Sequence, residues 1–381
     1  MKTDMVMKGE RLFEYLRRQA DNEPFSEEVV RNWYIARAFV LDKLKNVSFA
    51  PGCNRHLHVV VEGDSPLMLA VLRQVVLSAH YPNFVEYDMF NRLVCKNRSV
   101  ITLISDMDTD SIVRELEKEE NLCNLLKICK YSVYGEVRNE DSFMDILLEI
   151  AHDAGEDADC VHLKEEDVRS FVEKTPHDAV FSIDTRRAVY AKRAYGLGVE
   201  IDNLPYEGIH NAGRYAQALD AFQFKVLKSQ QEQCLFESGW DNDSNAVKLG
   251  LSNLFCADCF ESRELAIKQK YPEDKPISAQ DRKAIWERFN VPLSISEHSR
   301  WVVEKLILGF RPLNQKEKSD YGSLFGKRRS LYLKRLKNNA VSPAHIDLCS
   351  YRDLRRVDPD NLKYDSFLML AIPMILDKTR K

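Results

Sequence analysis

The sequence predicts a doubly wound α/β fold with a mostly parallel sheet in its first half, and a mainly α-helical second half. Two observations predict the sheet. Apolar strands at 57–62 and 99–104 are each followed by a helical pattern, and a tight turn joins the first strand to its helix. Strands that alternate with helices favour a parallel sheet covered on both faces. The third observation is that residues beyond Gly213 carry only helical periodicity, which predicts a separate helical part.

The first elements are helices, followed by the opening unit of the sheet. Two amphipathic helices are expected within 8–46. The strand at 57–62, the turn Gly63-Asp64-Ser65-Pro66 and a helix at 67–77 come next. Pro66 suits a first helical position, and Ser65 suits the cap before it. Strand, tight turn and helix in this order predict a Rossmann-like domain.

The alternation of strands and helices continues to about residue 200. Further strands are expected at 99–104, 131–134, 160–163 and 179–183, with helices near 109–129, from 143 to about 154, and at 185–195. A turn-rich boundary at 196–213 precedes helices at 215–228, 253–270 and 281–289. The predicted domains are a helical N-terminal cap at 1–50, a Rossmann-like domain at 52–200, a helical connector at 201–290 and a C-terminal domain at 291–381.

Residues 294–311 combine helix signals with groups that bind anions and aromatic rings. Ser294 and Glu297 have the spacing of a capping box that starts a helix. His298, Trp301 and Lys305 follow the spacing i, i+3, i+7 and share one face. An imidazole, an indole and an ammonium on one face can stack on a base and pair with a phosphate. The residues alone leave open a second interpretation, in which the indole packs in a core and the imidazole binds a buried carbonyl.

An ordered series of motif elements runs through the C-terminal part of the chain. It consists of Glu297-His298-x-x-Trp301-x-x-x-Lys305, then Gly309-Phe310, then His345-x-x-Leu348-x-x-Tyr351-x-x-Leu354, then Asp365. From about 291 to 375 this series resembles the ryanodine-receptor repeat, which implies a mainly α repeat domain there. Phe310 stands where that family usually has a second Trp, and Arg311-Pro312 replaces its Tyr-Gly region. Residues 251–263 resemble the Ser-Asn-Arg-x-x-Ala-Asp helix that precedes the repeat in bacterial proteins.

The resemblance implies a function in ligand sensing. Those bacterial proteins often carry an N-terminal Rossmann-like domain related to potassium-transport regulators, and channel versions of the repeat are associated with adenine nucleotides. We therefore expect a non-catalytic, cytoplasmic, nucleotide-responsive regulatory protein, whose ligand is an adenine nucleotide or an NAD-derived molecule. A separate membrane or effector protein is the expected partner. The implied ligand contacts in the repeat are His298, Arg300, Trp301, Lys305, Arg311, His345, Tyr351 and Asp365.

The turn after the first strand is a second candidate ligand site, formed by Gly63, Asp64 and Ser65 with Asp106 after the next strand. Amides at a helix start bind anions, and carboxyl ends of parallel strands line ligand crevices. However, Ser65 and Met68 replace the second and third glycines of a dinucleotide fingerprint. Asp64 would repel a phosphate and would suit ribose hydroxyls better. The alternative is a Rossmann-like turn without a cofactor, with Asp106 capping a helix.

Two further clusters stand out in the second half. Residues 325–337 are basic with interleaved apolar side chains, and could attract phosphates or form a solvated helix face. The cations expected to form this basic patch are Lys327, Arg328, Arg329, Lys334 and Arg335. Cys256 and Cys259 have the spacing of half a zinc site, but no second pair accompanies them. They are expected to be core thiols, and no metal is expected.

Composition limits the function classes. The 381 residues include 55 Lys and Arg against 59 Asp and Glu, so no global basic field predicts a specific nucleic-acid partner. Nine scattered cysteines predict a reducing compartment. The first residues lack the apolar core of a signal peptide, and no run reaches the roughly 18 apolar residues of a membrane span.

Catalytic motifs offer little support for an enzyme. The sequence holds no Gly-x-Ser-x-Gly motif, no Walker loop and no His-Glu-x-x-His motif. Because catalytic residues can be dispersed along a chain, an enzyme that acts on a nucleotide or nicotinamide cofactor stays open. A pure protein-interaction module is the other alternative, and the oligomeric state is open.

Overall fold

The computed structural model describes residues 27–63, 65–87, 93–95, 97, 99–104, 130–134, 158–181, 187, 190, 252–271, 279–307, 310–339, 342–349, 351–358 and 361–379. The helices are α1 (Glu27–Leu44), α2 (Pro66–Ser78), α3 (Glu165–Lys174), α4 (His177–Val180), α5 (Phe260–Lys270), α6 (Ala279–Arg288), α7 (Asn290–Ile307), α8 (Gln315–Ser323), α9 (Lys327–Lys337), α10 (Tyr351–Val357) and α11 (Leu362–Thr379). The strands are β1 (His56–Glu62), β2 (Val85–Tyr87), β3 (Leu93–Cys95), β4 (Val100–Ile104), β5 (Lys130–Tyr134), β6 (Ala158–Lys164), β7 (Arg311–Pro312) and β8 (Ala344–His345). Residues 252–258 are also helical.

A four-stranded parallel sheet has the order β5-β4-β1-β6. In register, Val60 lies opposite Thr102 on one side and His162 on the other. Strand β1 is therefore internal, with β4 and β5 on one side and β6 on the other. This is the arrangement found at the start of a doubly wound sheet. The connections at 105–129 and 135–157 lie outside the described residues, so the doubly wound class stays a prediction.

The predicted opening unit is confirmed locally. The expected strand at 57–62 and helix at 67–77 correspond to β1 and α2. Ser65 caps α2, its hydroxyl accepting from the Met68 amide at 3.4 Å, and Pro66 is the first helical residue. The strands expected at 99–104, 131–134 and 160–163 correspond to β4, β5 and β6.

Two local predictions are wrong. The strand expected at 179–183 begins instead with the short helix α4, where the Phe181 amide donates to the His177 carbonyl at 2.9 Å. A short apolar run does not distinguish a strand from a helical turn, and Pro176 provides the bend that starts this helix. The capping box at Ser294 is also wrong because α7 begins four residues earlier. The Ser294 hydroxyl donates to the Asn290 carbonyl at 2.7 Å from inside the helix.

Of the two helices predicted within 8–46, the second corresponds to α1, which begins at Glu27, and residues 1–26, where the first is expected, lie outside the described residues. The helices expected at 109–129, 143–154 and 215–228 lie outside the described residues, as does most of the helix expected at 185–195. The predicted helices at 253–270 and 281–289 are matched by helical residues 252–258 with α5, and by α6.

Two apolar cores organise the described residues. The first packs α1, α2 and α3 against β1, with Phe39, Val59 and Met68 fully buried. The second joins residues 254–257 and α5 to α6 and α11. Cys256 and Cys259 are both buried, which agrees with their prediction as core thiols. The domain boundaries stay predictions, although α1 shares the first core with the sheet rather than forming a separate cap.

Helix α7 lies between the two cores. Val303 belongs to the first core and Leu293 to the second. The Ser296 hydroxyl donates to the His80 carbonyl, just beyond α2, at 2.9 Å. A buried pair makes a further link, since Arg37 of α1 donates to both carboxylate oxygens of Asp258 at 2.9 and 2.5 Å. The side chains of α7 are therefore fixed from both sides.

None of the described helices is long and apolar enough to cross a membrane.

Candidate functional site

Helix α7 carries two neighbouring rows of side chains with different environments. One row is Glu297, Arg300 and Glu304, and the other is His298, Trp301 and Lys305. Each row follows the spacing i, i+3, i+7, so its members lie along one line of the helix. The first row is buried among charges, and the second row meets a cluster of rings.

The first row forms a buried ion network. Glu297 accepts from Arg300 Nη2 at 2.7 Å and from Arg263 Nη2 at 2.5 Å. Arg300 also donates to Glu304 at 2.8 Å. All four side chains are at most 3% exposed. Although burial favours the neutral acid, the charges of Arg300 and Arg263 lower the pKa of Glu297 to about 2.

Arg300 is therefore engaged in the interior of the protein. Its side chain is 1% exposed, and its guanidinium is paired with the carboxylates of Glu297 and Glu304. The predicted role of Arg300 as a phosphate contact does not fit this position, because a ligand would have to displace Glu297 or Glu304.

His298, in the second row, binds protein groups through both ring nitrogens. Nε2 lies 2.9 Å from the Cys349 carbonyl, and because a carbonyl only accepts, Nε2 carries the hydrogen. Nδ1 lies 3.3 Å from Asp365 Oδ2, so a proton lies between these two atoms. Burial opposes protonation, but the hydrogen bond and charge of Asp365, with the Cys349 carbonyl, raise the pKa of His298. His298 and Asp365 thus orient the ring cluster rather than offer a free base to a ligand.

Five rings pack against one another in what we call the ring cluster, made up of His298, Trp301, Phe310, His345 and Tyr351. His298 stacks on Trp301 with centroids 6.1 Å apart and meets Tyr351 edge-on at 5.7 Å. His345 meets Trp301 at 5.1 Å and Phe310 at 6.4 Å, both edge-on. His298, Phe310 and Tyr351 are buried, whereas Trp301 and His345 are partly exposed. These two rings are the accessible edge of the ring cluster.

Cations border this accessible edge. Lys305 Nζ lies 5.6 Å from the Trp301 ring centroid and donates to Glu304 at 2.7 Å. The Asp347 amide donates to His345 Nδ1 at 3.3 Å, which fixes that nitrogen as an acceptor. Burial, the charges of Lys337 and Lys305, and His298 hold the pKa of His345 well below its ordinary value. The imidazole is therefore neutral, and the charges of Lys305 and Lys337 act on it.

Arg311 stabilises the strand pair β7–β8 and helix α8. Its guanidinium donates to both Glu317 oxygens at 2.7 Å and to the Ser342 hydroxyl at 2.7 Å. Glu317 also completes a capping box with Asn314 at the start of α8. Arg311 therefore has a local structural role, and a ligand phosphate would compete with a bidentate carboxylate.

The basic run forms α9, next to β8. Lys327, Arg328, Lys334 and Arg335 are exposed. Arg329 is partly buried and lies over the Tyr321 ring at 4.4 Å. Since α9 ends near His345, Lys337 brings the end of the basic run towards the ring cluster. Those four exposed cations themselves belong to a separate face.

The turn after β1 is acidic. Gly63 has φ of +140°, and Glu165 Oε2 lies 3.0 Å from the position a Cβ would take there. Glu62 pairs with His162 at 2.7 Å, and Ser65 is used as the cap of α2. A phosphate at this turn would meet the Glu165 carboxylate, which favours a turn without a cofactor. Asp64 and Asp106 lie outside the described residues.

A buried carboxyl beside the ring cluster makes stability depend on pH. Asp347 accepts from Asn361 at 2.6 Å, while among the described residues its Oδ1 has no hydrogen-bond partner. Burial and the charge of Asp358 outweigh the Asn361 bond and raise the pKa of Asp347 from 3.8 to about 7. Because the folded state favours the neutral acid, the protonated Asp347 carboxyl contributes to stability. This contribution is complete below about pH 4 and is lost as pH rises through about 7.

We expect Asp347→Asn to stabilise the protein above pH 7, because a neutral amide can keep the Asn361 contact without a buried charge. The gain in unfolding free energy should be about 1–3 kcal/mol at pH 8 and near zero at pH 4. Urea unfolding at the two pH values measures it, with exposed Asp353→Asn as the control. Equal effects of the two variants at pH 8 would refute the role of Asp347.

The sequence indicates no site role for Glu304 or Asp347, and it includes Lys337 only as the last residue of the basic run. The four-residue spacing of Arg300 and Glu304 could have indicated their pairing. No local signal could place Lys337 beside His345, because this proximity depends on the packing of α9 against β8. Within the described part of the chain, no group of His, Cys, Asp and Glu has the arrangement of a metal site.

The chain matches no family model, and neither the search of curated proteins nor the search of solved structures returned a match.

Proposed function

We propose that the protein is a cytoplasmic, non-catalytic regulatory protein that binds an adenine-nucleotide-like anion at the accessible edge of the ring cluster. The observation that carries the proposal is the position of Trp301. Its partly exposed ring lies 5.6 Å from the Lys305 ammonium and 5.1 Å from the His345 ring. A base can stack on or against these rings, and the lysines favour the phosphate.

The contacts around Trp301 also support recognition rather than catalysis. Both nitrogens of His298 are bound to protein groups, and His345 is held neutral with Nδ1 accepting a backbone amide. Of the four ring nitrogens of His298 and His345, His345 Nε2 is the one for which the described residues give no partner, so it could contact a ligand. Ligand binding would favour one packing arrangement of β8, α9 and α7, which meet at this edge. This shift would alter a surface to which a separate membrane or effector protein binds.

Calorimetric titration of the full chain with AMP, ATP and ADP-ribose tests the proposal. We expect one of these molecules to bind. The Trp301→Leu substitution should weaken its affinity about 10–100-fold, since base stacking contributes about 1–3 kcal/mol. Trp301→Phe should retain part of the affinity because it keeps a ring. Lys305→Met should weaken the binding of ATP more than the binding of AMP, because the larger negative charge of ATP gains more from the ammonium.

The matched control is Lys316→Met, which removes an exposed lysine on α8. All variants should be checked for cooperative thermal unfolding first. No heat with any of the three nucleotides, or wild-type affinity in Trp301→Leu, would contradict the proposal.

A further inference from the structure

A strongly basic helical hairpin lies in the C-terminal part of the chain. This basic hairpin comprises α8, the turn at 324–326 and α9. Eight Lys and Arg side chains against two carboxylates give it a net charge of +6, whereas the whole chain carries −4. Both carboxylates bind protein groups, either within the hairpin or in the strand that precedes it. Glu317 binds Arg311, and Asp320 accepts from the Tyr332 hydroxyl at 3.3 Å.

Helix α9 presents an apolar side chain in the centre of its cationic face. Leu331 is 66% exposed. Four exposed cations lie at positions i−4, i−3, i+3 and i+4 from it, which places them around it on one face: Lys327, Arg328, Lys334 and Arg335. Among the described residues, none of these four cations has a carboxylate at ion-pair distance. The opposite side of α9 packs inward through Leu336, which is 9% exposed and contacts Leu313 and Ala344.

A second exposed apolar side chain lies at the turn of the hairpin. Phe325 is 76% exposed and lies two residues before α9, next to its N-cap Gly326. Its ring lies 5.9 Å from the Arg329 guanidinium, so apolar surface and positive charge again adjoin. Phe325 and Leu331 are the two most exposed large hydrophobic side chains among the described residues.

We propose that the basic hairpin docks on an anionic lipid surface, with Phe325 and Leu331 inserted among acyl chains and the four cations of α9 on lipid phosphates. Charge complementarity selects an anionic surface. The apolar pair selects lipid over a nucleic acid, because an aliphatic leucine gains nothing from a phosphate backbone, whereas interfacial helices combine basic and apolar side chains in this way. This docking does not depend on nucleotide binding at Trp301.

Co-sedimentation of the full chain with lipid vesicles tests the proposal. We expect binding to phosphatidylcholine vesicles that contain phosphatidylserine, and at least 10-fold weaker partitioning into vesicles of phosphatidylcholine alone. Phe325→Ser with Leu331→Ser should weaken partitioning at least 10-fold, and so should Lys327→Gln with Lys334→Gln. The charge-matched control is Lys316→Gln with Lys318→Gln, which removes two exposed lysines of α8 and should change partitioning less than threefold.

Thermal unfolding of each variant checks that it is folded. Because all these side chains are exposed, the variants should unfold at the same temperature as the wild type. Absence of vesicle binding, equal binding to neutral vesicles, or full binding by the Phe325→Ser, Leu331→Ser variant would overturn the proposal. Binding to duplex DNA without vesicle binding would also overturn it, in favour of a nucleic-acid surface.

Discussion

Glu297→Gln should be among the most destabilising substitutions in this protein. The carboxylate accepts from Arg263 at 2.5 Å and from Arg300 at 2.7 Å, and all three side chains are almost fully buried. Removing its charge leaves Arg263, at 0% exposure, without a carboxylate partner among the described residues, next to the Cys256 sulfur at 3.8 Å. Breaking a buried pair by removing one partner costs about 3–5 kcal/mol, and urea unfolding at pH 7 should show that loss.

The pH dependence gives the same residue a second signature. Because the pKa of Glu297 is lowered from 4.5 to about 2 in the folded state, its stabilisation is present above pH 4.5 and is lost as pH falls towards 2. The variant should therefore differ most from the wild type near neutral pH and converge with it near pH 2. Glu166→Gln, at a side chain 79% exposed, is the control and should change stability by less than about 0.5 kcal/mol. A Glu297→Gln protein as stable as the wild type would exclude the ion network as a structural element.

Gly63→Ala should produce the second large loss, on the order of 2–4 kcal/mol. Gly63 has φ of +140°, which side chains rarely adopt, and an added Cβ would lie 2.7 Å from Met68 Cγ. Met68 is fully buried beneath the turn, so it cannot move away without disturbing the first core.

The matched control is Gly322→Ala in α8, where nothing lies within 4 Å of the added Cβ. Since alanine favours a helix over glycine by about 1 kcal/mol, this variant should be neutral or slightly stabilised. Equal urea midpoints for the two variants would show that the turn at Gly63 tolerates a side chain.

The local chemistry of the opening unit could be predicted from sequence. Pro66 and Ser65 mark the start of α2, and the apolar run at 57–62 marks β1, because these signals act between neighbours in the chain. The i, i+3, i+7 spacing also placed His298, Trp301 and Lys305 together, since a helix repeats regularly. Both parts of the prediction depended on residues close in sequence.

What could not be predicted depends on tertiary partners. Ser294 and Glu297 have the spacing of a capping box, yet α7 starts at Asn290, and Arg263 draws the carboxylate into the interior. Arg311 seemed available for a phosphate because its bidentate pairing with Glu317 depends on the fold of the loop between them. The pairing of Arg300 with Glu304 follows a local four-residue spacing that the sequence did contain.

Photoaffinity labelling with an 8-azido-adenine nucleotide tests the central claim, that the ligand face is the accessible edge of the ring cluster. After irradiation of the full chain, mass spectrometry of the digest should find the label in the peptides that contain Trp301 and His345. Excess unlabelled nucleotide should suppress it, and Trp301→Leu should reduce it at both peptides. Labelling confined to the turn at 62–66, or labelling that unlabelled nucleotide does not suppress, would contradict the claim.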